Sequence, residues 1–160
     1  MFGQLLAYHI TFGTCGTRLH GDERGTVDRR HNTPGEPVLG RIESWQRVER
    51  RRMKHPPVML TQQQREYAEL TVPKVCQRGG WDYHITACGP DHVHVLLTAD
   101  ADGNGVRRWL KTWLGQSLSE RWPLSGDSRW WAEGGSVKWI WDEGYFARAH
   151  DYIERQRATK

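Results

Sequence analysis

Two histidines separated by a single residue form the most chemically distinctive pair in this chain. His92 and His94 open the segment His92–Thr98, whose valine and leucine residues predict a β-strand. Because successive side chains of a strand point to opposite faces, both imidazoles should lie on one face and the aliphatic residues on the other. Two imidazoles held together in this way form half of a metal site. The pair alone is a weak indication, since packing or chance also produces it.

The C-terminal segment contains a second pair of residues that could take part in chemistry. Tyr152 and Gln156 lie four residues apart in Glu143–Arg157, where apolar residues recur at helical spacing, so they should share one helix face. A phenol attacks a phosphodiester poorly because its pKa is about 10. A divalent cation can polarise the phosphate, and the amide of Gln156 could supply a third ligand. The alternative is that Tyr152 packs against a sheet while Gln156 is solvated.

The other segments predict the elements that must position these residues. Thr61 and Gln64 form a capping-box pattern at the start of the first helix, and Pro73 predicts a bend or interruption within it. The predicted elements are a strand at Leu5–Phe12, a helix at Thr61–Arg78, strands at Trp81–Cys88 and His92–Thr98, a helix from Asp102 to Pro123, a strand at Ser136–Trp141 and a helix at Glu143–Arg157. This order predicts an α+β, ferredoxin-like split βαβ fold with an antiparallel sheet and an added C-terminal helix carrying the tyrosine.

The composition fits a globular domain better than a membrane protein or a disulfide-stabilised one. The chain of 160 residues is 37% hydrophobic and 26% charged, and it has neither a long apolar run nor a basic leader. Its three cysteines have no Cys-x-x-Cys spacing, which argues against a disulfide framework and a zinc knuckle. We expect one domain over residues 1–160, without membrane contact, in the reducing cytoplasm. A polar and basic excursion occupies about residues 13–56.

Several basic and aromatic residues are candidates for contact with nucleic acid, which the net charge of +4 permits. The candidates are Arg107, Arg108, Lys111, Arg129, Trp130 and Trp131. The first three lie off the apolar stripe of the second helix. The last three form a basic and aromatic run in a segment rich in serine and glycine, where exposed indoles could stack on unpaired bases. The alternative for the tryptophans is core packing. The excursion could also contact DNA through its basic residues, or form a solvated helix face.

The two chemical motifs together resemble those of the HUH-superfamily single-tyrosine transposases. The run His92-Val93-His94 resembles their histidine–hydrophobic–histidine motif, and the run from Tyr152 to Gln156 resembles their nucleophile helix. The first strand, Tyr8–Phe12, is similar to the opening of these enzymes and of their relatives associated with repetitive extragenic palindromes. The resemblance covers Leu5–Phe12 and about Thr61–Gln156.

The resemblance implies metal-dependent cleavage and rejoining of single-stranded DNA near a hairpin. In such enzymes the tyrosine becomes joined to a 5′ phosphate, a 3′ hydroxyl is released, and a later attack by a 3′ hydroxyl rejoins the strands. Carried over by position, Tyr152 is the nucleophile, and His92, His94 and Gln156 are ligands of Mg²⁺ or Mn²⁺. The partners implied are single-stranded or hairpin DNA and a second copy of the chain in a homodimer.

The tail of the chain departs from the family pattern. Only Asp142-Glu143-Gly144 separates the fourth strand from the tyrosine helix, so Tyr152 could serve its own subunit or that of a partner. Because Gln156 lies close to the chain end, Glu154 or His150 could replace it as the third ligand.

Two other functions are compatible with the residues. A protein derived from such an enzyme could bind hairpin DNA without cutting it, using the basic surface alone. An unrelated metallohydrolase could use the two histidines with a water nucleophile. A zinc site of that kind usually has three or four protein ligands, so His9, His84 or Asp91 would have to join.

Overall fold

Four strands and three helices make up the parts of the chain that the computed structural model describes, residues 3–17 and 56–158. The elements are β1 (Ala7–Gly13), α1 (Gln62–Gly79), β2 (Asp82–Cys88), β3 (His92–Thr98), α2 (Gly103–Arg121), β4 (Ser136–Ile140) and α3 (Glu143–Gln156). This order, together with a sheet of four antiparallel strands, confirms the predicted α+β fold with its added C-terminal helix. Most of the predicted excursion at about residues 13–56 lies outside the described residues.

The sheet brings three strands to the predicted metal ligands. Its order is β2-β3-β1-β4, and every neighbouring pair is antiparallel. Thr11 of β1 pairs with His94 of β3, and His9 of β1 pairs with Lys138 of β4. Directly paired residues of antiparallel strands project to the same face. Side chains of β1, β3 and β4 therefore meet on one face around His94.

The two faces of the sheet are covered by different helices. Val93, Val95 and Leu97 pack in a buried cluster with apolar residues of α1 and α2. Leu96 is two residues from His94 and therefore points to the same face as the histidines. It packs in a second cluster with Ile153 of α3. The predicted separation of imidazoles and aliphatic residues on β3 is therefore confirmed, and the tyrosine helix covers the face that carries the imidazoles.

Helix α1 begins and ends within one residue of the predicted bounds and continues through its proline. The side chain of Thr61 accepts a hydrogen bond from the backbone N–H of Gln64, and the Gln64 side chain accepts one from the Thr61 N–H. The expected interruption at Pro73 does not occur, since the helix runs to Gly79. Burial of the residues around Pro73, among them Val72 and Val75, offsets the one hydrogen bond that proline cannot make. No helix in residues 3–17 and 56–158 has the length and apolarity to cross a bilayer.

Both ends of α3 are held by its own chain. At the start, the Asp142 side chain accepts a hydrogen bond from the Tyr145 N–H at 2.8 Å. Just beyond the end, the buried Glu69 of α1 accepts from the Ala158 N–H at 2.8 Å and from the Cys88 N–H at 2.9 Å through one carboxylate oxygen. A buried carboxylate that loses these donors incurs a large desolvation cost. The helix carrying Tyr152 is therefore docked on the sheet of its own chain.

Candidate active site

The two histidines of β3 lie beside each other at the end of the sheet. Their ring centroids are 4.9 Å apart with the planes nearly perpendicular, at 83°. His94 is buried, with 7% of its surface exposed, while His92 is half-buried at the rim. His92 Nδ1 lies 2.7 Å from Asp91 Oδ1. An aspartate in this position holds the Nδ1 proton and leaves Nε2 as the ligand atom, as in many metal-binding histidines.

His94 is positioned by two residues of β1. Its Nδ1 lies 3.0 Å from Thr11 Oγ1 and 3.1 Å from His9 Nε2. Either partner can accept the Nδ1 proton of the tautomer whose Nε2 is free to bind a metal. His9 is itself buried, with its ring centroid 5.2 Å from that of His94. His9, Thr11 and Asp91 thus fix the orientation of the two candidate ligands.

Burial keeps the inner histidines uncharged. Desolvation lowers the pKa of His94 to about 3, and the positive charges of His92, His9 and Lys138 contribute further. Desolvation, followed by the charge of Lys138, lowers the pKa of His9 to about 4. Both imidazoles are therefore neutral at neutral pH, which is the form that binds a metal ion.

These lowered pKa values predict that metal-free protein is sensitive to acid. The folded state takes up fewer protons than the unfolded state below the ordinary histidine pKa of 6.5, so the free energy of unfolding decreases as the pH falls towards the folded values. With folded values of about 4 and about 3 against 6.5, His9 and His94 should each remove on the order of 3 kcal/mol between about pH 7 and pH 4. Urea unfolding in EDTA measures this loss. The double variant His9→Gln/His94→Gln should lose less over the same range, and an equal loss would contradict the assignment.

Tyr152 lies against this cluster on the side of α3 that faces it. Its ring centroid is 5.4 Å from that of His94, with the rings perpendicular at 89°, and 6.4 Å from that of His9. The side chain is 46% exposed. Within the described parts of the chain its hydroxyl has no hydrogen-bond partner. The phenol therefore borders the imidazoles while remaining open to a substrate from solvent.

The donor atoms at this site fit a divalent cation. The Nδ1 atoms of His92 and His94 are occupied by protein partners, so their Nε2 atoms remain for ligation. Gln156 is the last residue of α3, exposed, and one turn beyond Tyr152 on the same side of the helix. Two imidazoles and an amide oxygen would leave room for water and anionic oxygens in the shell of Mg²⁺ or Mn²⁺.

Glu154 and His150 do not fit as substitutes for Gln156. Each is two residues from Tyr152, which places it about 160° around the helix from the phenol. With Asp151 they form a separate group whose ligand atoms lie within 4.8 Å of one another. Two members of that group are exposed acidic residues, so it gives no indication of a site in its own right.

A zinc site with three or four protein ligands does not form around the two histidines. In residues 3–17 and 56–158, the group on α3 is the one set of three histidine, cysteine or acidic ligand atoms that lie that close together. His84 is instead hydrogen-bonded to Thr98 and packed edge-on against Phe146.

Two of the predicted DNA contacts instead hold the loop before β4. Lys111 Nζ donates to the carbonyl oxygens of Ala132 at 2.7 Å and Gly134 at 2.9 Å. Burial lowers the pKa of Lys111, and the charge of Arg107 adds to the effect. Arg107 donates to the Gly135 carbonyl at 3.3 Å. Lys111 and Arg107 therefore position a loop on α2 and lie on the face of the sheet opposite the histidines. Arg108 and Arg129 are exposed and remain DNA-binding predictions.

The prediction that Trp130 and Trp131 form an exposed stacking platform is wrong. They are only 6% and 8% exposed. Their indole N–H groups donate to Ser119 Oγ and the Lys111 carbonyl, and the Trp131 ring packs edge-on against Phe12. Because hydrogen bonds satisfy the indole nitrogens, the two residues close the core under the loop, and neither offers a ring face to a base.

The tryptophans that are exposed lie elsewhere. Trp109, Trp139 and Trp141 expose 53%, 57% and 48% of their surface. Trp109 is at the outer border of the stripe on α2, where its ring lies 5.0 Å from that of Trp113. Trp139 and Trp141 flank each other at 5.9 Å on and beyond the edge strand β4. Within residues 3–17 and 56–158, these three tryptophans are the ones on which unpaired bases could stack.

Comparison with known proteins gives a match at the level of structure. A scan of protein-family models and a sequence search of curated proteins find no match. The crystal structure of a candidate transposase from Deinococcus radiodurans R1 superposes with a TM-score of 0.50 at 17% identity, covering 98% of this chain and 94% of that one. The two chains share a fold. A REP-associated tyrosine transposase bound to a REP hairpin aligns at 13% identity with a TM-score of 0.48, covering 96% of this chain and 67% of that one.

Proposed function

We propose that this protein cleaves and rejoins single-stranded DNA beside a hairpin, through a covalent bond between Tyr152 and a 5′ phosphate, with Mg²⁺ or Mn²⁺ as cofactor. The observation that carries the proposal is the position of a half-exposed phenol with its ring 5.4 Å from that of His94. Packing of Tyr152 against the sheet would not by itself explain why two imidazoles with fixed orientations lie beside its exposed phenol.

The reaction exchanges one phosphodiester bond for another. The Tyr152 oxygen attacks the phosphorus, the bond from phosphorus to the 3′ oxygen breaks, the phenolic proton passes to solvent and the departing 3′ oxygen gains one. A 3′ hydroxyl attacks the phosphotyrosine in the reverse sense and releases the tyrosine. The bound cation supplies polarisation of the phosphoryl oxygen. His92, His94 and Gln156 would hold it, while His9, Thr11 and Asp91 orient the imidazoles.

Two further features support DNA as the substrate. The fold is shared with a candidate transposase, and exposed tryptophans occur on a chain whose net charge is +4. Because Ile153 of α3 packs on Leu96 and the Ala158 N–H donates to Glu69 within the same chain, we infer that Tyr152 acts in the active site of its own subunit. The homodimer that the sequence resemblance implies belongs to the proposal, with one complete site in each copy.

The decisive experiment looks for the covalent intermediate. The protein is mixed with a labelled single-stranded hairpin oligonucleotide and Mn²⁺, then analysed by denaturing electrophoresis. We expect label to migrate with the protein, EDTA to abolish it, and added Mn²⁺ or Mg²⁺ to restore it. Cleavage without protein-linked label would point to a water nucleophile. A native gel shift without cleavage in metal would instead favour a DNA-binding protein that no longer cuts.

A further inference from the structure

Lys138 of β4 points towards the histidine cluster from the side opposite β3. It is the direct cross-strand partner of His9, and such partners project to the same face. That face also carries His94 and is covered by α3. Lys138 is exposed, whereas His9 beside it is buried. Since β4 is the edge strand of the sheet, a ligand can reach the ammonium group from solvent.

The charge of Lys138 is not neutralised by the described parts of the chain. In residues 3–17 and 56–158 it has neither a hydrogen bond nor an ion pair. Its positive charge acts on both His9 and His94, which places it close to each of them. The ammonium group of Lys138 is therefore available to an anion that enters from solvent.

The other basic side chains near the sheet differ in this respect. Lys111 and Arg107, which the sequence predicts as DNA contacts, donate hydrogen bonds to backbone carbonyls on the opposite face of the sheet. Asp91 interacts with His92 at the far side of the cluster. Arg148 of α3, one turn before Tyr152, lies over the Tyr145 ring at 5.9 Å. Lys138 is therefore the cation that the sheet itself presents on the face carrying the imidazoles, and within residues 3–17 and 56–158 no protein oxygen engages it.

We propose that Lys138 binds a non-bridging oxygen of the phosphate that Tyr152 attacks, as a catalytic residue additional to the tyrosine and the metal ligands. The inference rests on the proposed function. During attack, negative charge builds on the phosphoryl oxygens and on the departing 3′ oxygen, and a positioned cation stabilises it more in the transition state than in the bound substrate. An ammonium group on a flexible stem suits this role as a point charge.

The test compares Lys138→Met, Lys138→Arg and a matched control, Lys74→Met. Lys74 is an exposed lysine of α1, on the other side of the sheet. Adduct formation is followed in single turnovers with excess protein and Mn²⁺, and hairpin binding is measured separately in EDTA. We expect Lys138→Met to slow adduct formation about 100-fold and to change binding by no more than Lys74→Met does. Lys138→Arg should recover most of the rate. Thermal unfolding checks that all three variants fold.

Three results overturn the inference. Equal rates for Lys138→Met and Lys74→Met would show that the ammonium does not act on the phosphate. A loss of binding in EDTA that matches the loss of rate would show that Lys138 serves general attraction of DNA. If wild-type protein forms no adduct at all, the proposed function fails and this inference fails with it. A wild-type adduct with an unaffected Lys138→Met rate overturns the inference alone.

Discussion

Tyr152→Phe is expected to abolish covalent attachment to single-stranded DNA, lowering adduct formation by at least about 1,000-fold. The substitution removes one hydroxyl, and no group of the described chain is hydrogen-bonded to it. The ring that packs against His94 stays in place. The free energy of unfolding should therefore change by no more than about 0.5 kcal/mol. The measurement is denaturing electrophoresis of labelled DNA with Mn²⁺, beside urea unfolding of the same preparation.

Tyr145→Phe is the matched control for this variant. Tyr145 is half-buried in the first turn of α3 and packs against the cluster beneath that helix. It should retain adduct formation, since its hydroxyl is two turns from that of Tyr152. The Tyr152→Phe protein should still bind the hairpin oligonucleotide, which separates loss of the nucleophile from loss of the substrate. Persistence of the adduct in Tyr152→Phe would assign the nucleophile to another residue.

The features that the sequence predicts correctly are those set by short-range periodicity. Alternation along β3 places His92 and His94 on one face, because the side-chain period of a strand is two. Helical spacing in α3 turns Ile153 to the sheet and leaves Tyr152 at the side. The capping pair of Thr61 and Gln64 marks the start of α1. Each of these signals lies within a few residues and does not depend on the rest of the chain.

The supporting residues of the site could not be found in the same way. His9, Thr11 and Lys138 join the cluster through the registers of β1 with β3 and with β4. Register is fixed by packing between segments that are far apart in sequence. In β1, His9 and Thr11 alternate with the buried Ile10 and are the polar residues of that strand face. This alternation shows that His9 and Thr11 share one face of the strand. It does not show which residues of the neighbouring strands they contact, so the sequence alone did not assign them to the site.

The basic and aromatic surface was predicted less well, because residue type alone does not determine exposure. Lys111 lies on the polar side of α2 by periodicity. A loop about 20 residues further along the chain nevertheless folds over it, and the ammonium group donates to two carbonyl oxygens of that loop. The same loop buries Trp130 and Trp131. A segment rich in glycine and serine was expected to expose its indoles. Partners for their N–H groups, Ser119 and the Lys111 carbonyl, allow burial instead.

His92→Ala is expected to remove both metal binding and adduct formation. His92 is half-buried at the rim, and its Nδ1 contacts the side chain of Asp91. Removal of the His92 ring should therefore perturb the core less than removal of the buried His94 ring would. A site with two imidazole ligands that loses one should bind Mn²⁺ at least about 100-fold more weakly. Calorimetric titration with Mn²⁺ in the absence of DNA measures this directly. Adduct formation should fall to the level of wild-type protein in EDTA.

His150→Ala is the control for metal binding. His150 belongs to the group on α3 that also contains Asp151 and Glu154. If the cation binds at the histidine pair, His150→Ala leaves affinity and adduct formation unchanged. An equal loss of Mn²⁺ affinity in His150→Ala, with His92→Ala unaffected, would move the metal to that group and remove the physical basis for Tyr152 chemistry at β3.

Mixing His92→Ala with Tyr152→Phe tests where the tyrosine acts. Ile153 of α3 packs on the sheet of its own chain, and the Ala158 N–H just beyond the helix donates to Glu69 of α1. We therefore expect each subunit to combine its own tyrosine with its own imidazoles. The mixture should therefore form no adduct, because one variant lacks the ligand and the other lacks the nucleophile. Recovered activity would mean that α3 leaves its sheet and docks on that of a partner. The hydrogen bond from the Ala158 N–H to Glu69 would then have to open during the reaction.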